Sequence, residues 1–283
     1  MIPDGVSAWL EEQGYGKVIS DRPVGGGCIN QGARLDTASG QRFFLKTNRS
    51  APLDMFAREA EGLESLRVEG GPRVPRPYLW SSSFLLLEDL APAARRSDYW
   101  LEFGRKLANL HRYASDRFGF PHDNYIGSTP QPNTITKDGY AFFAEQRLLF
   151  QANLANQRGL LGKSELAQVE GIAIRLPDLV PNQPASLIHG DLWSGNAIAD
   201  EQGAPAIIDP AAHYGWAEAE LAMTGLFGSF PDAFYRAYQE VRPLTEGWRQ
   251  RFSLYNLYHL LNHLNLFGTS YLGEVLSVLR SYR

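Results

Sequence analysis

The chain has 283 residues, of which 44% are hydrophobic and 20% are charged, and its formal net charge is −4. This is an ordinary globular composition, and the length allows one large core or two lobes. The acidic balance argues against general attraction to nucleic acid or to anionic membranes, because both partners require a basic face. Cys28 is the only cysteine, which excludes an intramolecular disulfide and a multi-cysteine metal site.

The N-terminal stretch MIPDGVSAWLEEQG carries acidic residues where a secretory signal has a basic stretch followed by an apolar one. No later apolar run approaches the length that spans a bilayer. We therefore expect a cytoplasmic protein that has neither a membrane nor a nucleic acid as its partner.

Residues 17–47 alternate short β-prone runs with turn signals, which predicts a three-stranded antiparallel meander. The first corner of this meander contains Gly25, Gly26 and Gly27. A helical pattern follows in LDMFAREAEGLESLR, where apolar residues recur at helical spacing. Glu59 lies between two of these apolar positions, so we expect its side chain to point along the inward face of the helix.

The predicted secondary structure changes from mainly strands to mainly helices after the first third of the chain. The stretch EGGPRVPRPYLW predicts a connection, and SFLLLEDL predicts a buried strand. Long helical patterns follow, in YWLEFGRKLANLHRYA, FFAEQRLLFQANLANQRG and WRQRFSLYNLYHLLNHLNLFG. Strands first and helices second predict an α+β fold with two lobes and a cleft between them. We expect residues 1–88 to form a small N-terminal lobe and residues 89–283 a larger, mainly helical one.

Residues 189–196, HGDLWSGN, place an aspartate and an asparagine five positions apart in a short polar run. The catalytic loop of protein kinases, H-R-D-L-x-x-x-N, has the same spacing. In that loop the aspartate accepts the proton of the acceptor hydroxyl and the asparagine holds a magnesium ion. The pattern therefore predicts phosphoryl transfer, with Asp191 as the base and Asn196 as a metal ligand.

The remaining parts of such a site follow the expected order along the chain. Asp209 comes directly after the apolar run PAII and can supply the second ligand of Mg²⁺, which prefers oxygen donors. Lys46 ends the run RFFLK and can contact nucleotide phosphates, with Glu59 as its ion-pair partner. The glycine run before it permits backbone N–H groups to approach phosphate oxygens. We therefore expect ATP and Mg²⁺ as cofactors of a kinase-like N-terminal lobe.

The chain resembles the fructosamine kinase family, also called ketosamine 3-kinases, within the larger group of aminoglycoside phosphotransferases and choline kinases. The resemblance rests on GGGCINQGAR, FFLKTN, MFAREAEGLESL, DNYIGSTPQPN, HGDLWSGN, IIDPAAHYG and LYHLLNHLNLFG, which span nearly the whole chain. It implies a protein-kinase-like fold and ATP-dependent phosphorylation of the O3 hydroxyl of ketoamine adducts such as fructosamines or ribulosamines. The phosphorylated adduct then falls off its amine, so the implied role is deglycation.

The resemblance also assigns residues around the nucleotide. It implies that the glycine loop, including Cys28, covers the phosphates, and that backbone groups near Glu88 and Leu90 meet the adenine. Gly190 replaces the kinase arginine that pairs with an activation-loop phosphate, so we expect no regulation of that kind. The family places a cysteine at the position of Cys28 and is associated with redox control. The resemblance therefore makes a homodimer linked by a Cys28 disulfide an alternative to a monomer.

Several polar and aromatic residues near the predicted site admit two interpretations. Trp193, His213 and Trp216 could contact the acceptor or pack in the core, and Trp216 stands where the family usually has histidine. His259 and His263 are four residues apart on a helix, a zinc-binding spacing when a glutamate follows the first histidine, but leucine follows it here. We interpret this helix as a packed helix whose polar face borders the acceptor pocket.

Two other functions remain open at this point. One is a small-molecule kinase of the same fold that acts on an aminoglycoside, choline or a similar alcohol. The other is a pseudokinase that binds its ligand without chemistry. The complete set of predicted catalytic residues argues against a pure binding module, and a panel of acceptors distinguishes the two kinases.

Overall fold

A computed structural model describes residues 2–25 and 29–283 of the chain. The N-terminal part contains two helices and five strands, with the bounds α1 Asp4–Glu12, β1 Val18–Val24, β2 Gln31–Thr37, β3 Arg42–Thr47, α2 Met55–Leu66, β4 Pro77–Trp80 and β5 Phe84–Glu88. The strands form one antiparallel sheet in the order β1-β2-β3-β5-β4. The predicted meander is confirmed as β1, β2 and β3.

The stretch PYLW was predicted as part of a connection, and that prediction is wrong. Pro77–Trp80 forms strand β4 at the edge of the sheet, paired with β5. Pro77 is the first residue of this strand, a position at which the missing N–H of proline costs no ladder hydrogen bond. The proline-rich composition therefore concealed a short edge strand.

The side chains of β3 alternate between the two faces of the sheet, and the two faces have different surroundings. Phe43 and Leu45 pack with Val6 and Leu10 of α1 in a hydrophobic cluster on one face. Successive side chains of a strand point to opposite faces, so Lys46 points to the other face, where α2 lies. The sequence RFFLK thus buries one face and presents its lysine to the rest of the molecule.

The second part of the chain is mainly helical, as predicted, and carries seven short strands within the described residues. Its elements are α3 Tyr99–Leu110, β6 Ala114–Ser115, β7 Asn124–Ile126, β8 Thr129–Gln131, α4 Gly139–Phe143, α5 Phe150–Gln157, α6 Lys163–Ile174, α7 Leu176–Leu179, β9 Ala185–Ile188, β10 Ala197–Ala199, β11 Pro205–Ile207, β12 His213–Gly215, α8 Ala217–Met223, α9 Asp232–Val241, α10 Phe252–Phe267 and α11 Leu272–Ser281. A π-helical segment, Ala144–Leu149, joins α4 to α5.

Four of the short strands hold the segments that carry the predicted chemistry. Strand β9 ends immediately before His189 and pairs with β12, and β10 begins immediately after Asn196 and pairs with β11. Strand β11 ends two residues before Asp209. Short paired strands on both sides of each loop fix the directions in which its side chains point.

The two parts of the chain share a hydrophobic cluster. Phe56 and Leu63 of α2 and Leu85 of β5 belong to the same buried group as Phe103 and Leu187 of the second part. The observed architecture confirms the predicted two-lobed α+β fold, and β5 ends at Glu88. We keep the division into residues 1–88 and 89–283 as a proposal. Within the described residues, no helix is long and apolar enough to cross a bilayer.

Candidate active site

A cleft of about 840 Å³ lies between the sheet and the second part of the chain. Its size is in the range of small-molecule and cofactor sites. Its lining brings together the residues for which the sequence predicted catalysis or metal binding, namely Lys46, Glu59, Asp191, Asn196 and Asp209. Side chains that are up to 163 positions apart in the sequence therefore face one space.

Lys46 forms the centre of the charged group in this cleft. Its Nζ atom donates to Glu59 Oε1 and to Asp209 Oδ1, and the lysine is buried. Burial alone lowers the pKa of a lysine, but the charges of Asp209 and Glu59 outweigh it here and raise the pKa of Lys46. Lys46 is therefore a fixed cation between two carboxylates, one on α2 and one after β11.

Asp209 differs from its partners in exposure and in backbone conformation. Its side chain is 44% exposed, against 12% for Glu59, so one face of its carboxylate is open to the cleft. Its φ angle is 60°, in the left-handed region that non-glycine residues rarely occupy. Strain of this kind persists only where the surroundings hold it, and it concentrates at functional sites.

The segment HGD follows β9 and turns sharply into the cleft. Gly190 has φ 84°, and a Cβ atom there would lie 2.2 Å from the Ala211 carbonyl oxygen. An arginine, as in the protein-kinase loop, does not fit this backbone. His189 is buried, and its Nε2–H donates to the Ile208 carbonyl at 2.8 Å, which ties the loop to the strand that leads to Asp209.

A buried acid supports the same loop from below. Glu220 of α8 accepts the Gly190 N–H at 2.7 Å and a hydrogen bond from His111 Nε2 at 2.8 Å. The remaining ring nitrogen of His111 accepts from the Tyr238 hydroxyl at 2.8 Å. Burial favours the neutral acid, but these hydrogen bonds and the nearby histidines outweigh it and lower the pKa of Glu220. The anion therefore anchors the loop backbone without facing the cleft.

Asp191 and Asn196 are held in contact by the turn between them. Asn196 Nδ2 donates to the Asp191 carbonyl at 2.8 Å and approaches Asp191 Oδ2 at 3.3 Å. Burial, together with the charge of Asp209, raises the pKa of Asp191 well above its usual range. A carboxylate with raised proton affinity is suited to accept a proton from a hydroxyl group.

The donor atoms around Asp209 fit a magnesium ion. Because Asn196 uses Nδ2 for Asp191, its Oδ1 atom remains available, and the open carboxylate face of Asp209 supplies further oxygen. The two carboxylates that pair with Lys46, Glu59 and Asp209, carry one negative charge more than the lysine compensates, and a divalent cation offsets this excess. Mg²⁺ is usually bound by a few protein oxygen atoms, and water and phosphate oxygens complete its coordination.

One part of the cleft is lined by the side chain of Phe44 and by Leu90. Phe44 lies two residues before Lys46 on the same face of β3, and its ring tip lies 2.9 Å from where a Cβ atom of Gly32 would be. Within the described residues, the Leu90 N–H donates to no protein acceptor. A flat aromatic ring and a free backbone donor are the features expected around a nucleobase.

The other predicted nucleotide contacts have mixed outcomes. Gly25 borders the cleft, and so does Glu88, whose side chain accepts from Arg73 at 2.5 Å. Gly26, Gly27 and Cys28 lie outside the described residues, so their predicted phosphate contacts and the Cys28 disulfide stay predictions.

The sequence left much of the lining of the cleft undefined. Aromatic side chains from three separate segments form one wall there, namely Trp193, Phe227, His263, Phe267 and Tyr271. Trp193 and His263 had been considered because they lie near the catalytic motif or on α10. The signal that could have found Phe267 is its position four residues after His263 on the same helix face.

Trp216 takes the second of the two roles considered for it. It is 3% exposed and packs against Tyr140, Phe143 and Tyr255. His213 is also buried, and its Nδ1 lies 2.9 Å from the Ala211 carbonyl. Neither side chain borders the large cleft. Trp216 is therefore a core residue outside the large cleft.

His259 and His263 are not arranged as a pair of metal ligands. His263 Nδ1 donates to the His259 carbonyl at 2.8 Å, and the His259 ring is buried. Burial lowers the pKa of His259 to about 3, with the neighbouring charges of His263 and Arg147 adding to the effect. Only His263 of the two borders the cleft, in agreement with the interpretation of α10 as a packed helix with one face on the pocket.

A sheet with an ion-paired lysine, joined to a helical lobe that carries an Asp–Asn loop and a second aspartate, defines the class of protein-kinase-like phosphotransferases with alcohol acceptors. The profile of the fructosamine kinase family matches residues 4–282. The chain therefore belongs to the fructosamine kinase family.

Individual proteins with names from this family are similar to the chain over most of its length. A probable ketoamine kinase of Synechocystis is 45% identical over 93% of this chain and 90% of its own length. The chloroplastic protein-ribulosamine 3-kinase of Arabidopsis thaliana is 40% identical over 100% of this chain and 88% of its own. A crystal structure from Thermobifida fusca, provisionally assigned as a fructosamine-3-kinase, has a TM-score of 0.89 at 35% identity and covers 99% of both chains.

Proposed function

We propose that this protein transfers the γ-phosphoryl group of ATP, with Mg²⁺, to the O3 hydroxyl of a ketoamine adduct and thereby initiates deglycation. The observation that carries the proposal is the convergence of Lys46, Glu59, Asp191, Asn196 and Asp209 in one cleft. The names of the relatives, ketoamine kinase and ribulosamine 3-kinase, support the acceptor class. The predicted cytoplasmic location stays a prediction.

The residues have separate tasks in this reaction. Lys46, fixed by Glu59, donates hydrogen bonds to phosphate oxygens, and Asn196 and Asp209 supply the oxygen ligands of the metal. Bound ATP brings the phosphoryl group, and bound Mg²⁺ neutralises the charge on its oxygens. Asp191 accepts the proton that the acceptor hydroxyl loses as its oxygen bonds to the γ-phosphorus, while the bond from that phosphorus to the bridging oxygen breaks and ADP leaves.

Catalysis in this scheme consists mainly of positioning and charge compensation, because phosphoryl transfer requires little covalent work from protein groups. The raised pKa of Asp191 contributes, since a base acts best when its proton affinity approaches the working pH. We infer that the aromatic wall around Trp193 and Phe267, which lines the cleft, contacts the sugar and its amine, whose cationic form favours aromatic faces.

The test is magnesium-dependent release of ADP from the purified protein, with fructosyl-lysine, ribulosyl-lysine, kanamycin and choline in parallel. Asp191→Asn provides the blank. We expect turnover with a ketoamine only. Turnover only with kanamycin or choline would replace the acceptor and keep the kinase, and silence with every acceptor would favour a pseudokinase.

A further inference from the structure

The motif DNYIGSTPQPN, residues 123–133, has no part in the chemistry described so far. It contains β7 and β8, which pair as a hairpin beside the cleft. We propose that this hairpin, together with Asn133, is a permanent strut that positions Asp209 and helix α2 for catalysis. The proposal goes beyond the proposed function but rests on it for the role of Asp209.

The first support is contact with the chain just after Asp209. Asn124 Nδ2 donates to the Ala212 carbonyl at 2.8 Å, and Gln131 Nε2 donates to the Ala211 carbonyl at 3.1 Å. These two acceptors lie two and three residues beyond the strained Asp209. Side chains of the hairpin therefore hold the backbone that follows the metal ligand.

The second support is that these side chains form a closed, buried network. Asn124 Oδ1 accepts from Gln131 Nε2 at 2.7 Å and from Asn133 Nδ2 at 2.9 Å. The Tyr258 hydroxyl donates to Gln131 Oε1 at 2.6 Å. All four side chains are buried. A satisfied polar network in a low-dielectric interior is rigid, because each displacement leaves an unpaired polar group.

A buried cation fixes the far end of the network. Arg147 donates to Asn133 Oδ1 at 2.7 Å and to the Pro132 carbonyl at 2.6 Å, and its guanidinium lies 4.5 Å from the centre of the Phe142 ring. Within the described residues, Arg147 forms no ion pair with an acid. Its donors instead hold the end of the hairpin segment against the core.

The third support is contact with α2, which carries Glu59. A Cβ atom on Gly62 would lie 3.3 Å from Ala212 Cβ and 3.5 Å from Pro210 Cγ, so the glycine lets α2 rest on the segment after Asp209. The Tyr125 hydroxyl donates to Asp54 Oδ1 at 2.6 Å, immediately before α2 begins. The hairpin thus touches both structures that hold Lys46.

The strut supplies a physical reason for the expectation that no phosphorylation switch is needed. Protein kinases bring the helix glutamate and the metal-binding aspartate into place by ordering a phosphorylated activation loop. Here one packed block, from Arg147 through the hairpin to α2, holds Glu59 and Asp209 at once. The catalytic arrangement is therefore built during folding and needs no phosphorylation of a loop.

The test compares two substitutions with the same chemistry. Asn124→Asp removes the Nδ2 donor to Ala212, and Asn156→Asp removes an Nδ2 donor to the Leu161 carbonyl at the same 2.8 Å, on α5. We measure ADP affinity with magnesium and with EDTA, and also turnover with the ketoamine. Asn124→Asp should weaken magnesium-dependent binding about tenfold, as expected for an unpaired buried acceptor, although its added negative charge alone would strengthen metal binding.

The control should change affinity by less than about twofold in either condition, as expected away from the site. Equal magnesium-dependent affinity in Asn124→Asp and wild type would overturn the strut, because the network would then serve only stability. If Asn124→Asp does not fold, Tyr125→Phe decides, with Tyr140→Phe as its control, since each loses one hydroxyl donor. Tyr125→Phe should weaken magnesium-dependent ADP binding about threefold, and no change would overturn the strut.

These readouts separate the strut from the proposed function. ADP binding does not depend on the acceptor, so it tests the hairpin even if no ketoamine is turned over. A wild-type protein that binds magnesium and ADP but turns over no ketoamine would refute the acceptor and leave the strut intact.

Discussion

The charged group in the cleft and the buried acid beneath the catalytic loop use carboxylates in opposite ways. Asp209 leaves much of its side chain exposed and adopts a strained backbone, whereas Glu220 is fully enclosed and every one of its oxygens has a donor. Asp209 therefore keeps carboxylate oxygen exposed for a ligand, whereas both oxygens of Glu220 accept hydrogen bonds from the protein. Substitutions at Asp209 should therefore weaken metal binding, whereas substitutions at Glu220 should lower kcat and stability.

The largest effect should follow from removing the base. Asp191→Asn keeps the shape of the side chain and its place beside Asn196 but cannot accept the hydroxyl proton. We expect turnover to fall by about 10²- to 10⁴-fold, the usual contribution of a general base. ADP affinity, measured by calorimetry, should stay close to wild type. Near wild-type turnover would show that Asp191 is not the base.

Asp209→Asn should affect metal binding before it affects the proton transfer. Loss of one charged ligand should shift the magnesium titration of turnover to about 10- to 100-fold higher concentration, the range seen for substitutions around metal sites. Burial is the main cause of the raised pKa of Asp191, and the same change removes the second cause, the repulsion from Asp209. The acidic limb of the kcat/KM profile, measured at saturating magnesium, should therefore move to lower pH. An unchanged titration would exclude Asp209 as a ligand.

Glu220→Gln should lower kcat and stability together while leaving nucleotide affinity alone. The amide keeps one acceptor for the Gly190 N–H but presents a donor to His111, so one hydrogen bond is lost in the interior. We expect a loss of about 1–3 kcal/mol in the free energy of unfolding, from denaturant titration, and a drop of kcat with little change in the KM for ATP.

The matched control for Glu220→Gln is Glu170→Gln on the exposed face of α6, which should change neither kcat nor stability. Glu220→Asp retains the charge and should recover part of kcat. If Glu220→Gln lost stability but kept full kcat, the acid would support the lobe and not the loop geometry.

A smaller effect should appear in the pH dependence of stability. The pKa of Asp191 is raised in the folded protein, so the protonated acid stabilises the fold below its unfolded pKa, and this contribution is lost as pH rises through the folded pKa. Asp191→Asn cannot ionise. Its melting temperature should therefore exceed that of wild type by a margin that increases as pH rises above the ordinary aspartate pKa of about 4. A constant margin would contradict the raised pKa.

The smallest effect on catalysis should come from Trp216→Phe. Because Trp216 packs in the core and does not border the cleft, kcat and KM for the ketoamine should stay within about twofold of wild type. The melting temperature should fall, since a smaller ring leaves a gap among Tyr140, Phe143 and Tyr255. A changed acceptor preference would mean that position 216 does reach the substrate.

The sequence alone determined the parts of the site that depend on short backbone segments. Asp191 and Asn196 are five residues apart in one turn, and Asp209 follows an apolar strand, so their spacing predicts their proximity. Helices α3, α5 and α10 were predicted from periodicity, whereas strand β4 was missed because its proline and glycine neighbours resemble a connection.

Only the tertiary structure decided which distant groups meet. Lys46 and Asp209 are 163 residues apart, and Gly190 and Glu220 are 30 apart, so packing of whole elements brings them together and no local pattern records it. The same holds for the aromatic wall, for the burial of Trp216 and for the hairpin that braces Asp209. Local patterns determine which side chains a short segment can present in one direction, but only the packed core fixes what those side chains face.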